Sequence, residues 1–187
     1  EYMRISLVPS LLKNIHENEA FVDECLFFEL AHVYDKKLHE LPDEKLMLTL
    51  VANTDFFDLK GIVESLLDEL HIKNIPFTPN SHIPFLSPKT QTSIGDMGWI
   101  GTLNPSFQNA HEIKKPVSIA ELDFEKMIDS AQPFASYQPI NPYAVITLDL
   151  TIEMRKKTYA QDILHDIKSV KPINESIHQN IHILGVY

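Results

Sequence analysis

The stretch of sequence that most restricts the fold lies between residues 56 and 71. Its apolar residues recur at intervals of three and four, which places them on one side of a helix: Leu59, Ile62, Val63, Leu66, Leu67 and Leu70. Thr54 or Asp55 can accept hydrogen bonds from the first turn. The pattern predicts an amphipathic helix that supports a hydrophobic core with its apolar side.

Short strands and short helices surround this helix in the sequence. Dense or alternating apolar residues predict strands at residues 24–34, 46–50, 90–94, 98–103 and 117–122. Gly95 and Asp96 are predicted to form the tight turn between the third and fourth of these strands. Shorter helices are predicted at residues 8–15, 104–111 and 123–128.

Prolines mark a boundary between two parts of the chain. Residues 132–142 contain three prolines and no periodic apolar pattern, so they are predicted to link two domains, 1–133 and 134–187. Beyond the linker, the pattern predicts a strand at 144–152, a helix at 158–169 and a strand at 177–186. A lone β-α-β unit cannot cover both faces of its sheet, so the second domain is expected to be incomplete.

The charge of the chain is unevenly spread. Its net charge is -10, with 11 Lys and Arg against 21 Asp and Glu in residues 1–136, and 5 against 5 in residues 137–187. Because an acidic surface repels phosphate, this composition argues against nucleic-acid binding by the chain alone. A candidate exception is the basic run Arg155, Lys156 and Lys157, although such short runs are more often solvated loops.

Other general features indicate a soluble, cytoplasmic chain. No apolar run approaches the ~18 residues that a membrane-spanning helix needs. Cys25 is the only cysteine, so no disulfide can form within the chain, as is typical of a reducing compartment. The first residues lack the layout of a signal peptide and are expected to continue a longer chain.

Residues that could carry chemistry form no recognised motif. Gly95, Gly98 and Gly101 belong to the hairpin, whereas a phosphate-binding loop opens a helix. The nine histidines are scattered without paired ligand spacing, so no metal site is predicted.

Glu121 and Asp123 are the remaining candidates for catalysis. They stand two apart on one strand and share a face, which would suit acid–base chemistry or magnesium binding. The favoured interpretation is a solvated strand end, with Asp123 capping the helix that follows. No catalytic, cofactor-binding or metal-binding residue is therefore assigned.

Several segments together resemble the β subunit of bacterial phenylalanyl-tRNA synthetase. Residues 55–64 (DFFDLKGIVE) are similar to that family's DFFDLKGDVE, and residues 3–12 (MRISLVPSLL) to its LRTSLLPGLL. Residues 28–34 (FELAHVY), 98–105 (GWIGTLNP) and 117–122 (VSIAEL) resemble FEIGRVF, IGYIGELHP and VYVFEL. These matches keep their order and spacing over nearly the whole chain.

The resemblance implies a C-terminal part of that subunit with an α+β fold, a class II synthetase-like antiparallel sheet with flanking helices and no active site. It implies that catalysis, with ATP and magnesium, belongs to the α subunit of an (αβ)₂ assembly that charges tRNA with phenylalanine. No cofactor is expected in this part of the enzyme, and the partners implied are the α subunit and tRNA.

The end of the chain resembles the start of a ferredoxin-fold anticodon-binding domain. Residues 137–140 (YQPI) are similar to the family's FKPI, and residues 184–187 (LGVY) to LFDVY. Thr147 and Leu148 stand where the family has basic residues, and Asn104 stands where it has histidine. The departures at Thr147 and Leu148 weaken the expectation of an anticodon contact, for which Arg155, Lys156 and Lys157 are the candidate residues. Together with Asn104, they indicate either sites that carry no chemistry here or a divergent paralogue.

The leading hypothesis is a non-catalytic interface and scaffold module whose apolar strands help to contact the α subunit. One alternative is a stand-alone tRNA-binding module, which a salt-sensitive gel shift would favour. Another is a small metal-dependent enzyme that uses Glu121 and Asp123, which loss of hydrolysis on mutation would favour.

Overall fold

The computed structural model describes residues 3–80, 82–134, 137, 147–155 and 158–169, without the side chains of Gln161 and Lys168. The chain divides into two compact units, Glu1–Tyr137 and Gln138–Tyr187. This division falls within the proline-rich segment at residues 132–142. Within the described residues, no helix has the length and apolar character needed to cross a bilayer.

The first unit contains a six-stranded sheet in which all neighbouring strands are antiparallel. Its strands are β1 (Leu26–Asp35), β2 (Asp43–Ala52), β3 (Phe77–Pro79), β4 (Thr92–Ile94), β5 (Gly98–Thr102) and β6 (Ser118–Asp123). Their order across the sheet is β1-β2-β6-β5-β4-β3, so β1 and β3 are the two edge strands. The five strands predicted for this unit are confirmed as β1, β2, β4, β5 and β6. The sixth strand, β3, is only three residues long.

Four helices belong to this unit: α1 (Val8–Asn18), α2 (Phe56–Glu69), α3 (Pro105–Ala110) and α4 (Phe124–Ser130). The last three each start at a polar residue whose side chain accepts from free backbone N–H groups. Asp55 caps α2 by accepting from the amides of Phe57 and Asp58, at 2.7 and 3.0 Å. Asn104 caps α3 in the same way, which gives a structural reason for asparagine at that position.

The sheet carries a hydrophobic core on each of its two faces. On the first face, α2 and α4 cover strand residues such as Leu50 and Leu122. Leu59, Val63 and Leu67 of α2 are buried there, which confirms the predicted apolar side of that helix. On the second face, α1 covers Val51 and Ile119, among others.

Two glycines allow close backbone packing around β5. Gly95 has a φ of +51° in the turn between β4 and β5, a conformation that favours glycine. Gly98 lies so close to the backbone of β6 that a Cβ there would approach the Leu122 Cα to 2.9 Å. Both positions therefore suit glycine for a steric reason.

The described part of the second unit contains one helix, α5 (Ala160–Ser169), close to the range predicted for it. Residues 147–152 of the predicted strand at 144–152 form neither helix nor strand. A strand is defined by its hydrogen-bonded neighbour, and no described residue pairs with this segment. Residues 144–146 and the predicted strand at 177–186 lie outside the described residues.

Candidate functional site

Strand β1 pairs with β2 along one backbone edge and exposes much of the other. The Cys25 carbonyl, just before β1, accepts from the Asn53 amide at 3.1 Å, so the backbone N–H and C=O groups of the odd-numbered residues point towards β2. The Tyr34 amide donates to the Arg4 carbonyl at 2.9 Å on the opposite side. The backbone groups of even-numbered residues in β1 therefore point away from the sheet.

Arg4 covers only one end of that edge. Besides its carbonyl contact with Tyr34, its Nε donates to the His32 carbonyl at 3.0 Å. Its guanidinium also forms an ion pair with Glu29 at 2.7 Å. Among the described residues, no strand pairs with the edge at Phe28 and Leu30.

The even-numbered side chains at this open end are apolar and exposed. Leu26, Phe28 and Leu30 are 50%, 73% and 44% exposed, and we refer to them as the β1 row. Their register partners in β2 are Ala52, Leu50 and Leu48, which are buried in the core of the first face. The apolar surface of the sheet thus continues past its helices onto an edge strand, as is typical of surfaces that bind a partner.

The other end of the β1–β2 hairpin is charged. Lys45 forms an ion pair with Asp35 at 2.5 Å, and this hydrogen bond raises the pKa of the Lys45 ammonium. A hydrogen bond to Glu44 raises the pKa of the Tyr34 hydroxyl in the same way. Charged side chains discourage pairing of an edge strand with other chains, so the β1 row is the part of this strand that stays open to a partner.

Glu121 is buried, so the expectation of a solvated strand end is wrong for this residue. Its side chain is only 8% exposed on the second face of the sheet. The Oε1 atom accepts from Ser6 Oγ at 2.8 Å, Thr49 Oγ1 at 3.2 Å and the Leu7 amide at 3.3 Å. The alternation of strand residues predicted only that Glu121 shares a face with Asp123, and not that residues from the start of the chain would cover it.

Asp123 caps α4, as predicted. Its carboxylate accepts from the Lys126 amide at 3.1 Å. Glu121 and Asp123 are therefore engaged in separate structural contacts and do not converge on a common site. In the portion of the chain that is described, no group of three or more His, Cys, Asp or Glu side chains could hold a metal ion.

An open depression of about 450 Å³ lies beside the C-terminal end of α2. Its lining combines polar and apolar side chains: His71, Ile72, Lys73, Ile75, Ser130, Gln132 and Phe134. These residues include no carboxylate, and Glu121 and Asp123 are not among them. The depression therefore does not reproduce the carboxylate pair weighed from the sequence.

The basic run is described only in part. Arg155 is exposed in a segment without helix or strand, and its carbonyl accepts from the Thr158 amide at 2.9 Å. Lys156 and Lys157 lie outside the described residues. A tRNA contact at these three residues stays a prediction.

The sheet and its helices define the fold of the first unit. Two solved structures of pyrrolysyl-tRNA synthetase from Desulfitobacterium hafniense share this fold. One has a TM-score of 0.55 at 18% identity and covers 70% of this chain and 54% of its own. The other has a TM-score of 0.53 at 17% identity, and the match covers 67% of this chain and 48% of the synthetase chain. The fold is that of a class II aminoacyl-tRNA synthetase-like core.

The family within that class follows from the sequence. A family described as the phenylalanyl tRNA synthetase beta chain CLM domain matches residues 1–124, and the chain belongs to this family. This confirms the family resemblance found from the motifs.

Curated relatives include phenylalanine–tRNA ligase beta subunits from three bacteria. That of Carboxydothermus hydrogenoformans is 29% identical over 99% of this chain and 25% of its own length. Those of Symbiobacterium thermophilum and Dehalococcoides mccartyi are 32% and 31% identical, over 80% and 91% of this chain and 19% and 24% of their own lengths. The chain thus spans a quarter or less of these relatives.

Proposed function

We propose that this chain is a non-catalytic, structural part of the β subunit of phenylalanine–tRNA ligase. In this role it would support the ATP-dependent attachment of phenylalanine to tRNA by an α subunit in an (αβ)₂ assembly. The observation that carries the proposal is the β1 row, an exposed apolar extension of the core in a unit that belongs to this family. A cytoplasmic location would follow from this role.

The surroundings of the carboxylates support a non-catalytic role. Glu121 is occupied by three donors, and Asp123 caps a helix. We assign ATP and magnesium chemistry to the α subunit, as the resemblance to this family implies. On this proposal the isolated chain forms no phenylalanyl adenylate, and ATP–pyrophosphate exchange by the purified chain would contradict it.

The β1 row is the part of the surface that we assign to the α subunit. Phe28 exposes most of its ring, and the row offers both apolar side chains and outward backbone groups within the described residues. An aromatic side chain between two leucines is the kind of residue that dominates the binding energy of an interface.

For the end of the chain, we propose the start of a ferredoxin-fold anticodon-binding domain at residues 134–187. Support comes from the sequence resemblance and from α5, whose Ile163, Leu164 and Ile167 are partly buried on one side. Arg155, Lys156 and Lys157 are the proposed tRNA contacts in this domain.

Co-expression with a bacterial phenylalanine–tRNA ligase α subunit tests the interface. We expect a mixed complex by native mass, and we expect Phe28→Asp to weaken it about tenfold or more, since it places a charge within the apolar row. Phe57→Asp on α2 is the matched control, because the exposed fraction of Phe57 (75%) is nearly that of Phe28 but Phe57 lies on another element. An equal loss with both variants, or no complex with the wild-type chain, would contradict the proposal.

A further inference from the structure

We propose that Glu121 is a positioning residue, which holds residues 3–7 across the second face of the sheet and so determines how much of the β1 edge remains open. The proposal rests on the function proposed above, because it concerns the same interface. It starts from a buried carboxylate that serves no catalytic constellation.

Glu121 and Ser6 together complete the N-terminus of α1. Leu7 occupies the N-cap position but has no side-chain oxygen to accept a hydrogen bond. Glu121 Oε1 accepts from the Leu7 amide instead, and Ser6 Oγ accepts from the Val8 amide at 3.2 Å. Pro9 has no amide hydrogen to satisfy. The acceptors at the start of α1 therefore lie outside the helix, one on Ser6 and one on a strand 114 residues further along the chain.

The charge of Glu121 suits this place. A helix N-terminus carries a partial positive charge, so a carboxylate beside it is stabilised. The Glu121 side chain also accepts from Thr49 of the neighbouring strand, which holds the carboxylate from the sheet side. Glu121 is thereby a fixed anchor on the sheet.

Two residues before Ser6, the same segment reaches the sheet edge. Arg4 occupies the outward backbone groups of His32 and Tyr34 and leaves those of Phe28 and Leu30 without a strand partner in the described chain. Only Ile5, 73% exposed, separates the residue that meets the edge from the residue that meets Glu121. Displacement of Ser6 would therefore move Arg4 along or off the edge.

Hydrogen exchange on the 187-residue chain measures this positioning directly. In Glu121→Ala we expect the amides of Leu7 and Tyr34 to exchange roughly tenfold faster or more, relative to the amides of β5. Glu121→Gln keeps an oxygen in the same place and should stay close to wild type. Thr49→Val should accelerate exchange at the same two amides by a smaller factor, because Thr49 holds the Glu121 carboxylate but does not itself bond to the N-terminal segment. Ser6→Ala provides a second route if Glu121→Ala fails to fold.

The outcomes separate positioning from simple stabilisation. Faster exchange at Leu7 and Tyr34 alone, together with altered binding of the α subunit, supports the proposal. A uniform change at all amides, or no change, overturns it. Local loss of protection with unaltered binding overturns the link to the interface. Failure of the wild-type chain to bind the α subunit would count against the proposed function, while exchange would still decide whether Glu121 positions the segment.

Discussion

At the scale of single residues, glycines in this protein have very different surroundings. Gly61 lies in the middle of α2 with open space where a Cβ would be added. Gly98 has backbone atoms of β6 in that place, including those of Glu121 and Leu122. A glycine in a helix costs conformational entropy without a steric need, whereas a glycine between strands can be essential to their pairing.

These two glycines give a matched pair of predictions. Gly98→Ala is expected to lower the free energy of unfolding by about 3 kcal/mol, because the added Cβ collides with backbone that cannot move without separating β5 from β6. Gly61→Ala is expected to raise it by about 0.5–1 kcal/mol. Urea unfolding of both variants measures the difference, and equal effects would show that the contact at Gly98 is not as close as described.

At the scale of elements, the helices differ in where their caps come from. Asp55, Asn104 and Asp123 each cap the helix that they precede, so these starts can be located from the sequence alone. The start of α1 is satisfied by Glu121, which sequence reasoning could not connect to it. The available signal was Leu7, a residue that cannot act as a cap and therefore requires an acceptor from elsewhere.

The cap of α2 provides the prediction at this scale. Asp55→Ala should destabilise the chain by about 1 kcal/mol, because two amides in the first turn lose their acceptor. Asp55→Ser retains a side-chain oxygen and should remain within about 0.3 kcal/mol of wild type. Chemical denaturation followed by far-ultraviolet circular dichroism provides the measurement. A serine variant as unstable as the alanine variant would mean that the carboxylate has another role.

At the scale of the whole chain, both hydrophobic cores lie in the first unit. Among the residues that the structure describes, those that form the two cores fall between Val8 and Ala131. The two compact units divide at residues 137 and 138.

This placement predicts that a chain ended after Tyr137 keeps its fold. We expect one cooperative unfolding transition, with a free energy of unfolding within about 0.5 kcal/mol of the full chain, since no core residue is removed. Leu59→Ala should destabilise both lengths equally, which tests whether they share the same core. A shorter chain that unfolds without cooperativity would show that the first unit needs the residues that follow.

Local sequence patterns determined much of the described fold. The spacing of Leu59, Val63 and Leu67 fixed the buried side of α2, and Gly95 with Asp96 fixed the hairpin, because these features depend on neighbours a few residues away. The motifs of residues 55–64 and their companions identified the family.

The tertiary structure alone decided what depends on distant residues. The dense apolar stretch predicted a strand at residues 24–34, but only the strand order showed that Leu26, Phe28 and Leu30 lie on an edge beyond the covering helices. Likewise, only the path of residues 3–7 turned Glu121 from an expected solvated carboxylate into a buried acceptor. Burial is a property of the elements that pack together, and a periodic pattern gives the face of a side chain without revealing what covers it.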